Sequence, residues 1–443
     1  MPMNEILSIL MLLSFIALLV LGVRVAYAIA ISGVVFGLIG FGPNLFNLLP
    51  SRLYGVATNY TLLAVPLFVF MGVMLEKSRI AEDMLDVMGH VAGRLRGGMG
   101  VAIIFVGVLM GAATGIVGAT IVTLSLIALP TLLRRGYDHG LATGAICASG
   151  TLGQILPPSL ILILLSDLMG ESVGTLFAAA IMPGLMLAAL YVIYILVVAW
   201  IWPNMAPPIP AAERAELSTK QLIIEVFRGV LPPILLVFAV LGSIIGGVAA
   251  PTEAAAMGAF GALIIVAFSG KLSMSVLRQT LRSTLVTTSM IMFIIFAAQA
   301  FSLSFRGLGG EDLIAEFMEL VPGGLWGTII FMMILLFILG FFLEWIEISY
   351  IVLPLLLPFF VAAGVDMVWL AMLICMNLQT SFLTPPFGWA LFFIKGAAPP
   401  EVKIGSIYKG VIPFIGLQII GLALLMMFPD IATWLPKAIG WMK

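Results

Sequence analysis

The stretch from Gly97 to Leu133 constrains this chain most. It runs for 37 residues without a charge, with Arg94 and Arg96 before it and Arg134 and Arg135 after it. As a single α-helix it would be about 55 Å long, against a bilayer hydrocarbon core of about 30 Å. It is too apolar for a water-facing surface and too long to cross a membrane once. Basic residues at both ends put both ends on the cytoplasmic side. The segment therefore reads as a re-entrant hairpin over about 98–133, which enters, turns and leaves on one side. The small and polar run from Gly111 to Thr120, with Thr114, Gly115 and Gly118, supplies the turn. The stretch 325–361 has a similar length and a polar middle, Glu344-Trp345-Ile346-Glu347-Ile348-Ser349, and reads as a second hairpin with a polar tip.

The remaining composition agrees. Hydrophobic residues make up 62% and charged residues 9%, where a soluble domain carries about 25% charged residues. So few charges cannot cover the water-facing surface of a fold this size, so the surroundings are a lipid bilayer. A net charge of −1 argues against nucleic acid as a partner. Cys147 and Cys375 both sit in apolar runs, so neither a disulfide framework nor a cysteine metal cluster is expected. His90 and His139 leave little for histidine-centred catalysis. No Gly-x-x-x-x-Gly-Lys loop points to ATP. Ile6 to Val23 reads as a first span rather than a cleavable signal, since no small-residue cleavage site interrupts it. Many of the 46 glycines and 25 prolines lie inside apolar segments. That favours an all-α integral membrane protein with broken helices over a β-barrel. The segments suggest ten crossings besides the two hairpins.

The two halves align by a constant shift. Adding 228 takes Pro130 to Pro358, Gly136 to Gly364, Asp138 to Asp366, Cys147 to Cys375 and Pro157-Pro158 to Pro385-Pro386. A shift of 229 takes Glu82-Asp83 to Glu311-Asp312. The chain reads as a duplicated unit, 1–203 and 229–430, joined by a cytoplasmic linker at 204–228 and followed by a tail at 431–443. Leu133-Arg134-Arg135-Gly136 in the first copy corresponds to Val361-Ala362-Ala363-Gly364 in the second. The loss of positive charge at the matched point implies that the copies are inverted across the membrane.

Each hairpin is followed by a polar, proline-interrupted helix, at about 139–166 and 366–394. The first carries Ser149-Gly150-Thr151-Leu152-Gly153 and then Pro157-Pro158. The second carries Asn377, Gln379, Thr380, Ser381 and Thr384 and then Pro385-Pro386. Proline has no N–H and suits the first turn of a new half-helix, so the residues before it should unwind. Freed carbonyls and hydroxyls then offer oxygen ligands at mid-membrane, where a hard cation such as Na⁺ would bind. Half-helix N-termini favour anions. Inverted repeats with helices broken at corresponding places mark secondary transporters. One Na⁺ site is expected between the first tip and 149–153, another between the second tip and 377–384. Glu344, Trp345, Glu347 and Ser349 belong to the second site as cation ligand, proton carrier or gate, because acids at membrane depth are expensive to bury. No transition-metal set is expected.

These residues resemble the large membrane subunit of tripartite ATP-independent periplasmic (TRAP) transporters. The resemblance rests on Val65-Pro66-Leu67-Phe68, Ser149-Gly150-Thr151-Leu152-Gly153 with Pro157-Pro158-Ser159, Pro251-Thr252-Glu253-Ala254-Ala255, and Leu383-Thr384-Pro385-Pro386. It implies an elevator-type transporter of the bacterial inner membrane and Na⁺-coupled uptake of an organic acid. A periplasmic substrate-binding protein would deliver that organic anion, and a small four-helix membrane subunit would complete the permease. Two alternatives are a stand-alone sodium/divalent-anion symporter of similar architecture and, more distantly, a membrane-embedded enzyme.

Overall fold

The computed structural model describes residues 3–115, 117–210 and 219–442. Its first helices are α1 (Met3–Val20), α2 (Val25–Phe41), α3 (Leu45–Ala57), α4 (Ala64–Lys77) and α5 (Ile80–Ala92). A hairpin follows, α6 (Gly98–Thr114) and α7 (Val117–Arg134). Next come α8 (His139–Leu152), α9 (Leu160–Met169) and α10 (Val173–Ile201). After residues 211–218, which lie outside the described chain, α11 (Lys220–Ile245) starts inside the segment expected to be a linker. The second half continues with α12 (Pro251–Phe268), α13 (Met274–Gly307) and α14 (Gly310–Glu319). A second hairpin is made by α15 (Gly324–Leu339) and α16 (Trp345–Ala362). The chain closes with α17 (Met367–Leu383), α18 (Trp389–Ala397), α19 (Ile404–Met427) and α20 (Asp430–Ala438). Among the described residues nine helices are long and apolar enough to cross a membrane, or up to eleven with two bent pairs each taken as one span. One bent pair is α4 with α5, at 62°, and the other is α14 with α15, at 116°.

Each hairpin returns to where it began. In the first, Arg135 beyond α7 places a guanidinium nitrogen 3.2 Å from Met99 Sδ at the start of α6. In the second, Trp326 at the start of α15 packs edge-on against Trp369, just past the end of α16, with ring centroids 5.9 Å apart. Asp138 and Asp366 then cap the next helices in the same way. Their carboxylates accept the N–H of Leu141 at 2.9 Å and of Trp369 at 3.0 Å. A cap of this kind contributes roughly 1 kcal/mol.

The two mouths lie at opposite ends of the bundle, and α19 measures the separation. Near its start Gly410 packs backbone to backbone on Gly140, in the first turn of α8. Near its end the Leu425 carbonyl accepts the Trp369 indole N–H at 2.8 Å. The stretch from 410 to 425 corresponds to about 22 Å of helix. Helices α8–α9 and α17–α18 therefore run antiparallel. Consistently, Glu171, just beyond α9, lies near Asp366, and burial followed by that neighbouring carboxylate raises the Glu171 carboxyl above its ordinary range. The segment after α10 closes over the first mouth: the Ala206 carbonyl accepts the Gly97 N–H and the Met205 carbonyl the Asp138 N–H, both at 2.9 Å.

One large apolar core runs through both hairpins and both broken helices. A smaller one joins α1, α2, the second half of α13 and α16 around Met11, Phe15, Ile29, Phe301 and Leu355.

Candidate functional site

The two interruptions have one physical cause. In a continuous helix the carbonyls of Gly153 and Gln154 would accept from the N–H groups of residues 157 and 158, and both are proline. The second pair, Pro385-Pro386, removes the donors for Ser381 and Phe382 in the same way. A residue before proline is also pushed out of helical geometry. The prolines accordingly sit inside the breaks rather than in the first turn of the following half-helix, as their usual preference had suggested. Helix α9 begins at Leu160 and α18 at Trp389. In the first break the orphaned Gln154 carbonyl accepts the Ser159 hydroxyl.

The polar residues ahead of each break remain helical as far as Leu152 and Leu383 instead of unwinding. Ser149 and Thr151 donate to the carbonyls of Ile146 and Ala148, both at 3.0 Å. Thr380 and Ser381 donate to Met376 and Leu378, at 2.9 and 2.7 Å, and Thr384 to the Thr380 carbonyl at 2.8 Å. Each hydroxyl oxygen spends its proton inside the helix and keeps lone pairs free to face outward. Asn377 reaches across to the Met333 carbonyl of α15 at 2.7 Å. Gln379 is fully buried, with its amide beside the Tyr191 hydroxyl.

Each hairpin lies along the broken helix that follows it. A Cβ on Gly107 would lie 2.5 Å from Ser149 Cβ, and one on Gly111 would lie 2.5 Å from Gly153 Cα. At the tip, Gly115 has φ +62° and abuts Leu160, the first residue beyond the break. In the second half Gly340 abuts the Ser381 side chain. The shift of 228 that relates the sequence copies takes Gly153 to Ser381 and, one residue off, Gly111 to Gly340. Thr114 and Thr120 hold the first tip together through their hydroxyls, 3.0 Å apart. At the second tip the Glu347 carboxylate accepts the Glu344 N–H at 2.9 Å. Buried Ser349 lies one residue beyond this turn, and its hydroxyl has no hydrogen-bond partner.

Both tips and both breaks meet at a cavity of about 370 Å³. The first hairpin lines it with Gly115, Gly118 and Val122, and the first break with Gln154 and Leu160. The second hairpin contributes Glu344, Trp345 and Ile346. The second break and α18 contribute Phe382, Trp389 and Phe393, and α13 closes the wall with Thr287, Met290 and Ile291. Of the residues singled out from sequence, Gly115, Gly118, Glu344 and Trp345 line this cavity. Thr114, Ser149, Gly150, Thr151, Gly153, Pro157, Pro158, Glu347, Ser349, Asn377, Gln379, Thr380, Ser381, Thr384, Pro385 and Pro386 form the surrounding tips and breaks instead. Sequence reasoning missed Gln154, one residue beyond the first polar cluster, and the α13 residues, which carry no motif at all. A larger recess of about 660 Å³ lies further along α13, where Gln299, Ser302 and Arg306 face Arg52, Asp167 and Tyr350.

The donors offered by the tips and breaks are all oxygen: hydroxyls, helix-end carbonyls and two carboxylates. Such a set suits a hard monovalent cation. Among the described residues no cluster of His, Cys, Asp and Glu could hold a metal ion.

An all-helical membrane protein in which two hairpin tips meet two broken helices around a central cavity has the architecture of a secondary transporter. The family model described as "Tripartite ATP-independent periplasmic transporter, DctM component" matches residues 12–431, and the chain belongs to this family. It is 28% identical to the C4-dicarboxylate TRAP transporter large permease protein DctM of Pseudomonas aeruginosa, over 90% of this chain and 92% of that protein. It is 27% identical to the ectoine TRAP transporter large permease protein TeaC of Halomonas elongata, over 96% of this chain and 98% of that one. Among solved structures, the YdaH transporter of Alcanivorax borkumensis superposes with a TM-score of 0.62, covering 96% of this chain and 98% of YdaH, at 15% identity. That likeness speaks for the fold alone. The relatives are transport permeases, so the enzyme reading is set aside. The chain is a multi-pass protein of the inner membrane.

Proposed function

We propose that this chain is the large permease of a sodium-coupled importer of a small organic acid. A periplasmic binding protein delivers the substrate, and a small membrane subunit completes the permease. The observation that carries this reading is the convergence of both hairpin tips and both helix breaks on one cavity. Residues 1–203 and 229–430 form two inverted repeats, and the cavity lies where their matched elements meet. Na⁺ would be held by oxygen atoms of Ser149, Gly150, Thr151 and Gly153 with the first tip, and of Asn377, Thr380, Ser381 and Thr384 with the second. When bound, it supplies positive charge beside an anionic ligand. The hairpins and broken helices form the moving body of an elevator, and the long α13 belongs to the body against which they slide.

Uptake by proteoliposomes containing both membrane subunits tests the reading. Transport should require a sodium gradient and the binding protein. Equal transport without the binding protein would support a stand-alone symporter instead. Ser149→Ala and Thr380→Ala each delete one oxygen donor, an interaction worth about 1 kcal/mol. Each should raise the sodium concentration for half-activation by about fivefold. Unchanged sodium activation in both variants would move the ion sites elsewhere.

A further inference from the structure

We infer that the substrate taken by the 370 Å³ cavity is a zwitterion, a carboxylate that also carries a cationic nitrogen. The cationic nitrogen sits against the Glu344 carboxylate and neighbouring ring faces. This deepens the proposed function and rests on its assignment of this cavity as the substrate site.

The lining is unlike one built for a compact dianion. Among the lining residues Glu344 is the single ionisable group of either sign, and there is no lysine, arginine or histidine. A carboxylate of the ligand placed near Glu344 would be repelled, while a cationic nitrogen would be attracted and partly relieved of its desolvation. The aromatic content points the same way. Trp345 and Phe382 are 7% and 3% exposed, and Trp389 and Phe393 lie together with centroids 6.5 Å apart and planes 32° apart. Gly118 lets Phe393 come in, because a Cβ there would lie 2.6 Å from the ring. Aromatic faces attract cations through the ring quadrupole, most strongly where water is excluded. The Glu344 side chain makes no cap hydrogen bond in its own turn, and a carboxylate has about four lone-pair positions to offer a ligand.

The same lining also holds groups that suit the ligand's carboxylate. Gln154 is 1% exposed, and neither its amide nitrogen nor its amide oxygen has a hydrogen-bond partner. The Trp389 indole N–H is likewise buried without a partner. Both are neutral donors, and a buried polar group left unpaired is costly. A carboxylate accepting from them would satisfy both. Neutral donors, one carboxylate and aromatic walls together describe a receptor for a molecule that carries both charges.

The test is ligand binding to the purified permease with its small subunit in nanodiscs, at saturating sodium, followed by calorimetry. The probes are glycine betaine and γ-aminobutyrate as zwitterions, and succinate and malate as dianions. At least one zwitterion should bind tenfold or more tightly than either dianion. Glu344→Gln should weaken that binding at least tenfold, and Glu344→Asp should retain part of it. Failure of every zwitterion to bind overturns the inference, as does tighter binding of a dianion or unchanged zwitterion affinity in Glu344→Gln. Thr287→Trp separates this from the underlying reading. It fills the cavity from α13, away from the tips and breaks. If any probe that binds the parent protein binds this variant equally well, the cavity is not the substrate site and the proposed function fails with it. If the variant loses binding but the dianions are preferred, only the zwitterion inference falls.

Discussion

At the scale of single residues, the site depends on close backbone approach more than on unusual backbone angles. Gly153 and Gly150 invite the reading that glycine is there for conformational freedom. Gly153 in fact has an ordinary helical φ of −62°, and Gly150 lies within α8. What each position lacks is room. A Cβ on Gly150 would run into Ile121, and Gly153 and Gly111 touch backbone to backbone. Gly111→Val or Gly153→Val should therefore cost about 1–3 kcal/mol of stability through overpacking. Thermal unfolding in detergent measures this. The two acids of the second tip also separate at this scale. The Glu347 carboxylate accepts a backbone N–H of its own turn, and glutamine can do the same. Glu347→Gln should transport at near the parent rate, whereas Glu344→Gln should not. Uptake by the two variants side by side checks the contrast, and equal loss in both would assign them one shared role.

At the scale of elements, the interruptions in α8–α9 and α17–α18 follow from the missing N–H groups of two proline pairs. Changing Pro157 and Pro158 together to alanine returns the donors that the Gly153 and Gln154 carbonyls lack. Helix α8 should then extend through the break. Uptake should fall by at least tenfold while the protein still inserts and melts no earlier than its parent. Normal uptake would mean that the break is not needed for function. The caps offer a second test. Asp138→Ala and Asp366→Ala each delete a side-chain acceptor at a helix start and should each cost about 0.5–2 kcal/mol. Similar losses in the two thermal melts would show that the matched caps are energetically matched too.

At the scale of the whole molecule, the two hairpin mouths lie at opposite ends of α19. Arg134 and Gly364 should therefore be reached from opposite sides of the membrane. Single cysteines at these positions, in a background where the buried Cys147 and Cys375 are alanine, can be labelled by an impermeant reagent from one side at a time. Labelling of both from the same side would remove the inverted arrangement. The mouths themselves were legible without coordinates, because length, charge and the 228-residue shift are one-dimensional quantities. The uncharged run at 97–133 could only double back, and the proline pairs could only interrupt a helix. Residue patterns of this kind determined the all-helical membrane fold, its two hairpins and the positions of its breaks. The tertiary structure decided which of the polar residues face a common space. Ser149, Thr380 and their neighbours belong to the breaks, while Glu344, Gln154, Phe393 and Thr287 line the cavity, although they come from four separate stretches of chain. Helical sequence tells which residues share one helix face, but not which neighbouring helix that face meets. The wall contributed by α13 depends on packing between elements far apart in sequence, and local pattern carries no record of it.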